Sequence, residues 1–392
     1  MGEHAGRPPV FGLVAGEASG DQLGAALIQA LREKYPNARF VGVGGARMQA
    51  VGMDCWRDAA ELAVMGLFEV IGHLPRLLRL RRWLRGRFLE ERPDIMIGID
   101  APDFNLGLER QLRAGGIPSL HYVSPTVWAW RQGRVRKIAR CTDAVLCLFP
   151  FEPDFYAEHD VAAFYTGHPL ADSIENLPDM MGARDRLGLR PLDPCIALLP
   201  GSRAGEVSRL LKPLLGAAHI LQKQHPGMQF VLPMANDAVK AQVEQALISF
   251  PDLQLQSVEG QAHLAMASAD IVVCASGTAA LEAQLVNRPM VVVYRLSTPT
   301  YLLGKTFKLV KSRFFSLPNI LADRQLVPEL LQAEVTPESI AREVKSWLDN
   351  PHRVQSLQQE FSSMNQALRQ DAARTAADHI SQLLPETPDL SP

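Results

Sequence analysis

The sequence predicts an α/β protein built as two tandem Rossmann-like, doubly wound domains. Three observations carry that prediction. The chain has 392 residues, about twice what one core ordinarily organises. Short β-branched or apolar runs alternate with longer stretches of helical period, the pattern of strand–helix–strand units around parallel sheets. The series also opens twice in the same way. "LVAGEASGDQLGAALIQAL" and "ALLPGSRAGEVSRLLKPLL" each run from a strand through a Gly/Ser loop with an acid into an amphipathic helix.

In chain order, apolar runs predict strands over 10–15, 40–43, 95–99, 119–123 and 144–148, then over 195–199, 229–232, 253–256, 271–274 and 290–294. Helical periodicity lies between most neighbours, as over 22–34, 206–224 and 237–248. The Pro/Asp-containing stretch 176–193 reads as the linker, giving domains 1–185 and 186–349, with C-terminal helices and a tail over 350–392. The first helix after Thr336 carries a capping signal to Glu338 or Ser339 that is only weakly fulfilled. The last ten or so residues, rich in Pro and acid, are expected to fray.

Composition narrows the function classes. Hydrophobic residues make up 47% and charged residues 21%, which suits a globular soluble chain. A formal charge of −2 argues against a nucleic-acid binder that lives by neutralising phosphates, so local basic patches must meet any anionic partner. The five cysteines form no C-x-x-C pair, and without a signal-peptide-like start they suit reduced cytosolic thiols. No apolar run reaches the roughly 18 residues of a bilayer span, although the chain could still lie on a bilayer.

Candidate chemistry gathers at strand ends, where open α/β sheets collect ligands. In "IGIDAPDFN" the wholly apolar strand stops at Asp100, and Asp103 follows after Pro102. Burial beside such a strand raises a carboxylate's pKa and suits a general base; plain turn formation around the proline is the competing reading. "LLPGSRAGEV" places Gly201, Ser202 and Arg203 between strand and helix, where free N–H groups, the helix dipole and a guanidinium favour a phosphate. The Gly-Lys-Ser/Thr ending of a Walker loop is absent. "CASGTAALEAQL" repeats the device with Ser276, Gly277 and Thr278, and Glu282 one turn on is placed to reach ribose hydroxyls. Simple capping and an exposed helical glutamate are the alternatives.

"VGVGGARM" departs from the dinucleotide fingerprint, having Arg47 where the third glycine belongs. No Asp-x-Asp, H-x-x-x-H or zinc-like thiol spacing occurs, so no metal is indicated. "LPRLLRLRRWLRGRF" holds six arginines and no acid, with Pro75 suited to a first helical turn. Leu77, Leu78, Leu84 and Phe88 are expected on one face, with Arg76, Arg79 and Arg87 opposite and Arg81 and Arg85 spoiling the stripe; Arg76, Leu77, Leu78, Arg79, Arg82 and Leu84 make the candidate membrane patch. Such a helix can rest on an anionic membrane or simply cover a sheet. The stretch 301–319 again mixes Lys305, Lys308, Lys311 and Arg313 with phenylalanines. "HYVSPTVWAWRQGRVRKI" packs Trp128, Trp130, Arg131, Arg134 and Arg136 into a strand-exit loop suited to an anionic or phosphorylated ligand, or to core packing of its tryptophans.

Together "VAGEASGD", "ELAVMGLFEV", "GIDAPDFN", "HYVSPTVWAWR", "LLPGSRAGEV", "ASGTAALE" and "SLPNILA" closely resemble the lipid-A-disaccharide synthase family, over nearly the whole chain. The resemblance implies a GT-B fold whose C-terminal helices cross back, and a C-terminally swapped homodimer. It implies an inverting transfer, without metal or cofactor, from UDP-2,3-diacylglucosamine to 2,3-diacylglucosamine 1-phosphate, on the cytoplasmic face of the inner membrane. It assigns the base to Asp100 and the nucleotide to Gly201, Ser202, Arg203 and the segment from Ser276 to Glu282, with Asn319 in a motif tied to activity. Glu17, Ser19, Met65, Ser124, Trp130 and Arg131 are the acceptor-cleft candidates. Pro102 would stiffen the turn so that Asp103 points elsewhere, capping a helix that begins near Asn105. Another UDP-sugar enzyme of the same fold, such as a peptidoglycan glycosyltransferase or a sugar 2-epimerase, and a nucleotide-gated membrane adaptor are the rival readings.

Overall fold

The computed structural model describes residues 7–62, 67–128 (67–73 as helical backbone), 134–174, 177–296 and 313–384. It divides into two compact units, Met1–Asp172 with Leu368–Pro392, and Ser173–Ala367. Each is a parallel sheet with helices between its strands, as the alternating pattern predicts.

The first unit holds β1 (Val10–Ala15), β2 (Arg39–Gly44), β3 (Asp54–Asp58), β4 (Ile95–Ile99), β5 (Ser119–Tyr122), β6 (Ala144–Cys147) and β7 (Ala163–Tyr165), in the order β3-β2-β1-β4-β5-β6-β7. Its central strands are apolar on both faces because both are covered. Along β1, Phe11, Leu13 and Ala15 pack into one buried cluster, while Val10 and Val14 belong to another. The second unit holds β8 (Cys195–Leu199), β9 (Gln229–Met234), β10 (Leu255–Glu259), β11 (Ile271–Ala275), β12 (Met290–Tyr294) and β13 (Glu329–Leu331), in the order β10-β9-β8-β11-β12-β13. In each sheet the strand order reverses once, between β1 and β4 and between β8 and β11, and such a reversal opens a crevice beyond the strand ends.

The unit boundaries differ from the expected 185/186 and 349/350. The stretch read as a linker contains the helix Met180–Leu187, capped by Asp179 and ended by Gly188 at φ +66. Its Arg184 is 4% exposed and pairs with Asp270 at 2.7 Å while donating to the Ser268 carbonyl at 2.9 Å, which ties the helix to the second unit. The helix Pro351–Leu368 also belongs to that unit, because Leu357 and Phe361 join its core and Asn365 donates to the Gln284 carbonyl. Only the last helix, Ala372–Leu383, returns to the first unit, where Ala376, Ala377 and Ile380 enter the core beside Leu27 and Ile28.

The arginine-rich helix runs Leu67–Glu91, so Pro75 lies inside it rather than in its first turn. Its inner face is also not the expected one. Leu80, Leu84 and Phe88 are buried and Leu77 packs against them, whereas Leu74, Leu78 and Trp83 are exposed. Leu84 is therefore a core residue. The 3.6-residue period explains this, since 77, 80, 84 and 88 share a stripe that 78 misses by one step.

Candidate active site

In the first unit, the loops after β1 and β4 lie side by side at the reversal. Ala15 pairs with Ile99 in register, and a Cβ on Gly16 would come within 2.6 Å of the Ala101 Cβ. Glu17 stands just before the helix Ala18–Lys34 without a side-chain capping bond, and both it and Ser19 are exposed there. Across from them the chain turns sharply, with Asp100 at φ +52 and Ala101 at φ +44. Two successive left-handed non-glycine residues cost about 1–3 kcal/mol each, so the turn needs holding. Buried Asn105 supplies the hold, donating to the carbonyls of Asp100 (2.8 Å), Val14 (3.1 Å) and Ile99 (3.3 Å). The Asp100 side chain is partly exposed and makes no hydrogen bond or ion pair among the described residues.

The following helix is Pro102–Arg113, starting at Pro102 rather than near Asn105. Asp103 is not its cap. Its carboxylate turns outward to accept from Arg134 at 3.0 Å. Ser124 is buried, with its hydroxyl 3.1 Å from the Tyr156 hydroxyl, so it presents no free group to a cleft. Sequence reasoning missed Glu152, which is buried and accepts from Trp128 Nε1 (3.0 Å) and the amides of Leu148 (3.1 Å) and Phe149 (2.9 Å). Burial raises its pKa to about 7 against these donors. Met65, Trp130 and Arg131 lie outside the described residues, as does 301–312 of the second basic stretch.

In the second unit, the corresponding reversal opens a cavity of about 640 Å³. It is lined by Gly201, Ser202, Arg203, Ser276, Gly277, Thr278 and Glu282, seven residues singled out from the sequence. Cys274 pairs with Leu199, which brings the two Gly/Ser loops together. Gly201 at φ +112 and Gly277 at φ +149 adopt conformations that favour glycine. The helices Ala204–Gln224 and Thr278–Leu285 start at these loops. The amides of Ser202, Arg203, Ala204, Gly205, Gly277, Thr278 and Ala279 have no hydrogen-bond partner among the described residues. Unpaired amides at two helix starts, reinforced by both dipoles and Arg203, form an anion site.

Two further cavity residues were not singled out as site residues from the sequence. Glu206, the acid of the first Gly/Ser motif, sits in the first turn of its helix, its pKa raised by burial against the pull of Arg203 and Arg209. His263 lies 3.3 Å from Glu282, and that hydrogen bond raises the imidazole pKa. His263 belongs to no recognisable spacing; it enters from the start of the helix Ala262–Ser268, after β10. Asn319, by contrast, does not line the cavity. It is fully buried, donating to the Val327 carbonyl (2.9 Å) and Glu329 (2.8 Å) and accepting from the Leu326 (2.8 Å) and Val327 (3.0 Å) amides. Glu329 in turn gathers the amides of Phe315 and Ser316, and the Phe315 carbonyl accepts from Ser276 Oγ at 2.8 Å. Asn319 thus acts on the cavity only through this chain of bonds. The glycine loop after β2 is closed to phosphate, because the Asp21 carboxylate already takes the amides of Gly45 (2.7 Å), Arg47 (3.0 Å) and Met48 (3.1 Å).

Two parallel Rossmann-like sheets, with a cavity at the strand reversal of the second, are the architecture of the GT-B fold. At the level of fold, the chain resembles the UDP-GlcNAc 2-epimerase from Neisseria meningitidis, solved bound to UDP-GlcNAc, with a TM-score of 0.59 and 13% identity over 96% of this chain and 99% of that one. Residues 11–383 match the family described as lipid-A-disaccharide synthetase, and the chain belongs to that family. The lipid-A-disaccharide synthase of Xanthomonas campestris is 49% identical over 96% of this chain and 87% of its own length. That of Pseudomonas aeruginosa is 50% identical over 95% and 97%. The chain is therefore a glycosyltransferase of lipid A biosynthesis, acting on a UDP-sugar donor and an acceptor, and the epimerase likeness is one of fold.

Proposed function

We propose that the chain transfers 2,3-diacylglucosamine from UDP-2,3-diacylglucosamine to 2,3-diacylglucosamine 1-phosphate with inversion, releasing UDP and the β(1→6)-linked disaccharide 1-phosphate. The observation that carries the placement of the donor is the cavity lined by Arg203 and by five residues with unpaired amides, Ser202, Arg203, Gly277, Thr278 and Ala279. The diphosphate lies against the two Gly/Ser loops, and Glu282 reaches the ribose. As the C1–O bond breaks, negative charge grows on the departing diphosphate, and the preorganised amides and Arg203 receive it without a metal ion. Asp100 takes the proton of the acceptor hydroxyl as that oxygen attacks. Its hydrogen-bond-free carboxylate on an Asn105-clamped turn supports this role, as Glu17 and Ser19 nearby support an acceptor site. Incubating the purified protein with both diacyl sugars tests the reaction, with UDP and disaccharide as the expected products. Release of a free 2-epimer instead would favour the epimerase reading.

No described helix is long and apolar enough to cross a membrane. Peripheral attachment to the cytoplasmic face of the inner membrane is supported by the outer face of Leu67–Glu91, where Leu74, Leu78 and Trp83 stand among Arg76, Arg79, Arg82 and Arg85. Acyl chains leave a bilayer at about 0.8 kcal/mol per CH₂, so collecting such substrates at the surface avoids a large extraction cost. The homodimer is supported by the returning helix Ala372–Leu383, an element that two copies can exchange with its packing intact.

A further inference from the structure

The donor cavity poses an electrostatic problem. Among its described lining residues Arg203 is the one permanent cation, facing the two carboxylates of Glu206 and Glu282, with His263 beside the second. A diphosphate brings at least two negative charges into this setting. Glu282 has a partner at hand in His263, whose imidazole pKa that contact raises, but the Glu206 carboxylate has no hydrogen bond among the described residues. Its carboxylate is folded back under the phosphate loop: a Cβ built on Gly201 would lie 2.2 Å from Glu206 Oε2. Three carboxylate and phosphate groups crowded together do not all stay ionised, because like charges a few ångströms apart favour protonation of one.

We propose that Glu206 binds a proton together with the diphosphate and, as a neutral acid, donates a hydrogen bond to a phosphate oxygen, so that nucleotide binding is proton-linked. The proposal rests on the reading that the cavity holds the UDP moiety. The proton comes from solvent on binding and returns to it when UDP leaves. In between, the donated hydrogen bond adds to the charge stabilisation given by the amides. The groups facing Glu206 are Arg203 on the loop, Arg209 one turn on in its own helix, and Tyr294 at the end of β12. The arginines oppose protonation in the free protein. The arriving phosphate reverses that balance by taking over Arg203. UDP affinity accordingly falls as pH rises from the pKa that Glu206 has in the free protein to the higher one it has in the complex, and levels off above that.

The experiment is titration calorimetry of the full chain with UDP across pH 6–9, in two buffers of different ionisation enthalpy. The parent is compared with Glu206→Gln, Glu206→Ala and His263→Gln. The β-phosphate of UDP titrates in all of them and cancels in the comparison. The expected result is up to one more proton taken up per UDP by the parent than by either Glu206 variant, with His263→Gln keeping most of that uptake. Glu206→Gln should bind UDP as tightly as the parent at the acid end, or more tightly, and lose less affinity towards pH 9. Equal proton uptake by the parent and both Glu206 variants would overturn the inference, as would an uptake that disappears in His263→Gln instead. Failure of the underlying reading has a different signature: Arg203→Ala binding UDP like the parent means that the nucleotide lies elsewhere.

Discussion

At the scale of the residue, the site combines groups that local rules explain with groups that they do not. Asp100 and Arg203 stand where strand ends and helix starts put them. Asp100→Asn is expected to leave UDP affinity intact and lower turnover by about 100-fold or more, the usual scale for removing a general base. Steady-state turnover beside UDP calorimetry checks this, and near-parental turnover in the folded variant removes Asp100 from the mechanism. Arg203→Ala should weaken UDP binding by the roughly 1.5–3 kcal/mol typical of a charge-assisted contact. The His263–Glu282 pair gives a pH signature. The raised imidazole pKa means that its stabilisation is present below the ordinary histidine value of about 6.5 and is lost as pH rises through the folded value. His263→Gln should therefore depress the melting temperature near pH 6 and have little effect near pH 9; equal effects at both would disprove that the pair is ionised.

At the scale of the element, the helix Leu67–Glu91 shows how one residue of phase divides a core face from a surface. Replacing Leu84 removes packing, since it is fully buried; replacing Leu78 does not. The combined change of Leu74, Leu78 and Trp83 to Ser is expected to leave folding and UDP affinity unchanged while reducing co-sedimentation with anionic vesicles. Changing Arg79 and Arg82 to Glu should do the same at low salt, because each basic residue near such a surface contributes about 1 kcal/mol that salt screens. Binding that survives both sets of changes moves the contact elsewhere on the chain. Edge strands teach a related lesson. β3, β7 and β13 had no signal, and all three stand at sheet edges, where short strands are half-solvated and need no apolar run. "DCWRD" of β3 becomes a strand because β2 pairs with it.

At the scale of the whole molecule, the chain leaves its first unit at Asp172 and comes back at Leu368. The returning helix carries Ile380, fully buried in the first unit's core. Ile380→Asp is expected to destabilise that unit by at least about 3 kcal/mol, through a lost apolar contact and a buried charge. Calorimetry should show the thermal transition of the first unit moving down while that of the second stays in place. A single unmoved transition would mean that the helix is dispensable. Light scattering tests the homodimer, and a monomer at working concentrations would exclude it.

What the sequence determined by itself was whatever depends on near neighbours along the chain: the buried central strands, the helices after them, and the two Gly/Ser loops at helix starts. Those signals are local, because backbone hydrogen bonding and hydrophobic period act over a few residues, and they suffice to place Asp100 at a strand end and to pick out seven residues that line the cavity of the second unit. Tertiary structure decided what depends on distant partners. Asn319 carries the same motif signal as its neighbours, yet its bonds to Leu326, Val327 and Glu329 bury it. His263 joins the site only because the sheet brings the start of the helix after β10 to the loops after β8 and β11, a pairing over long sequence separations that no local pattern records, whereas Glu206 sits in the same local motif as Gly201.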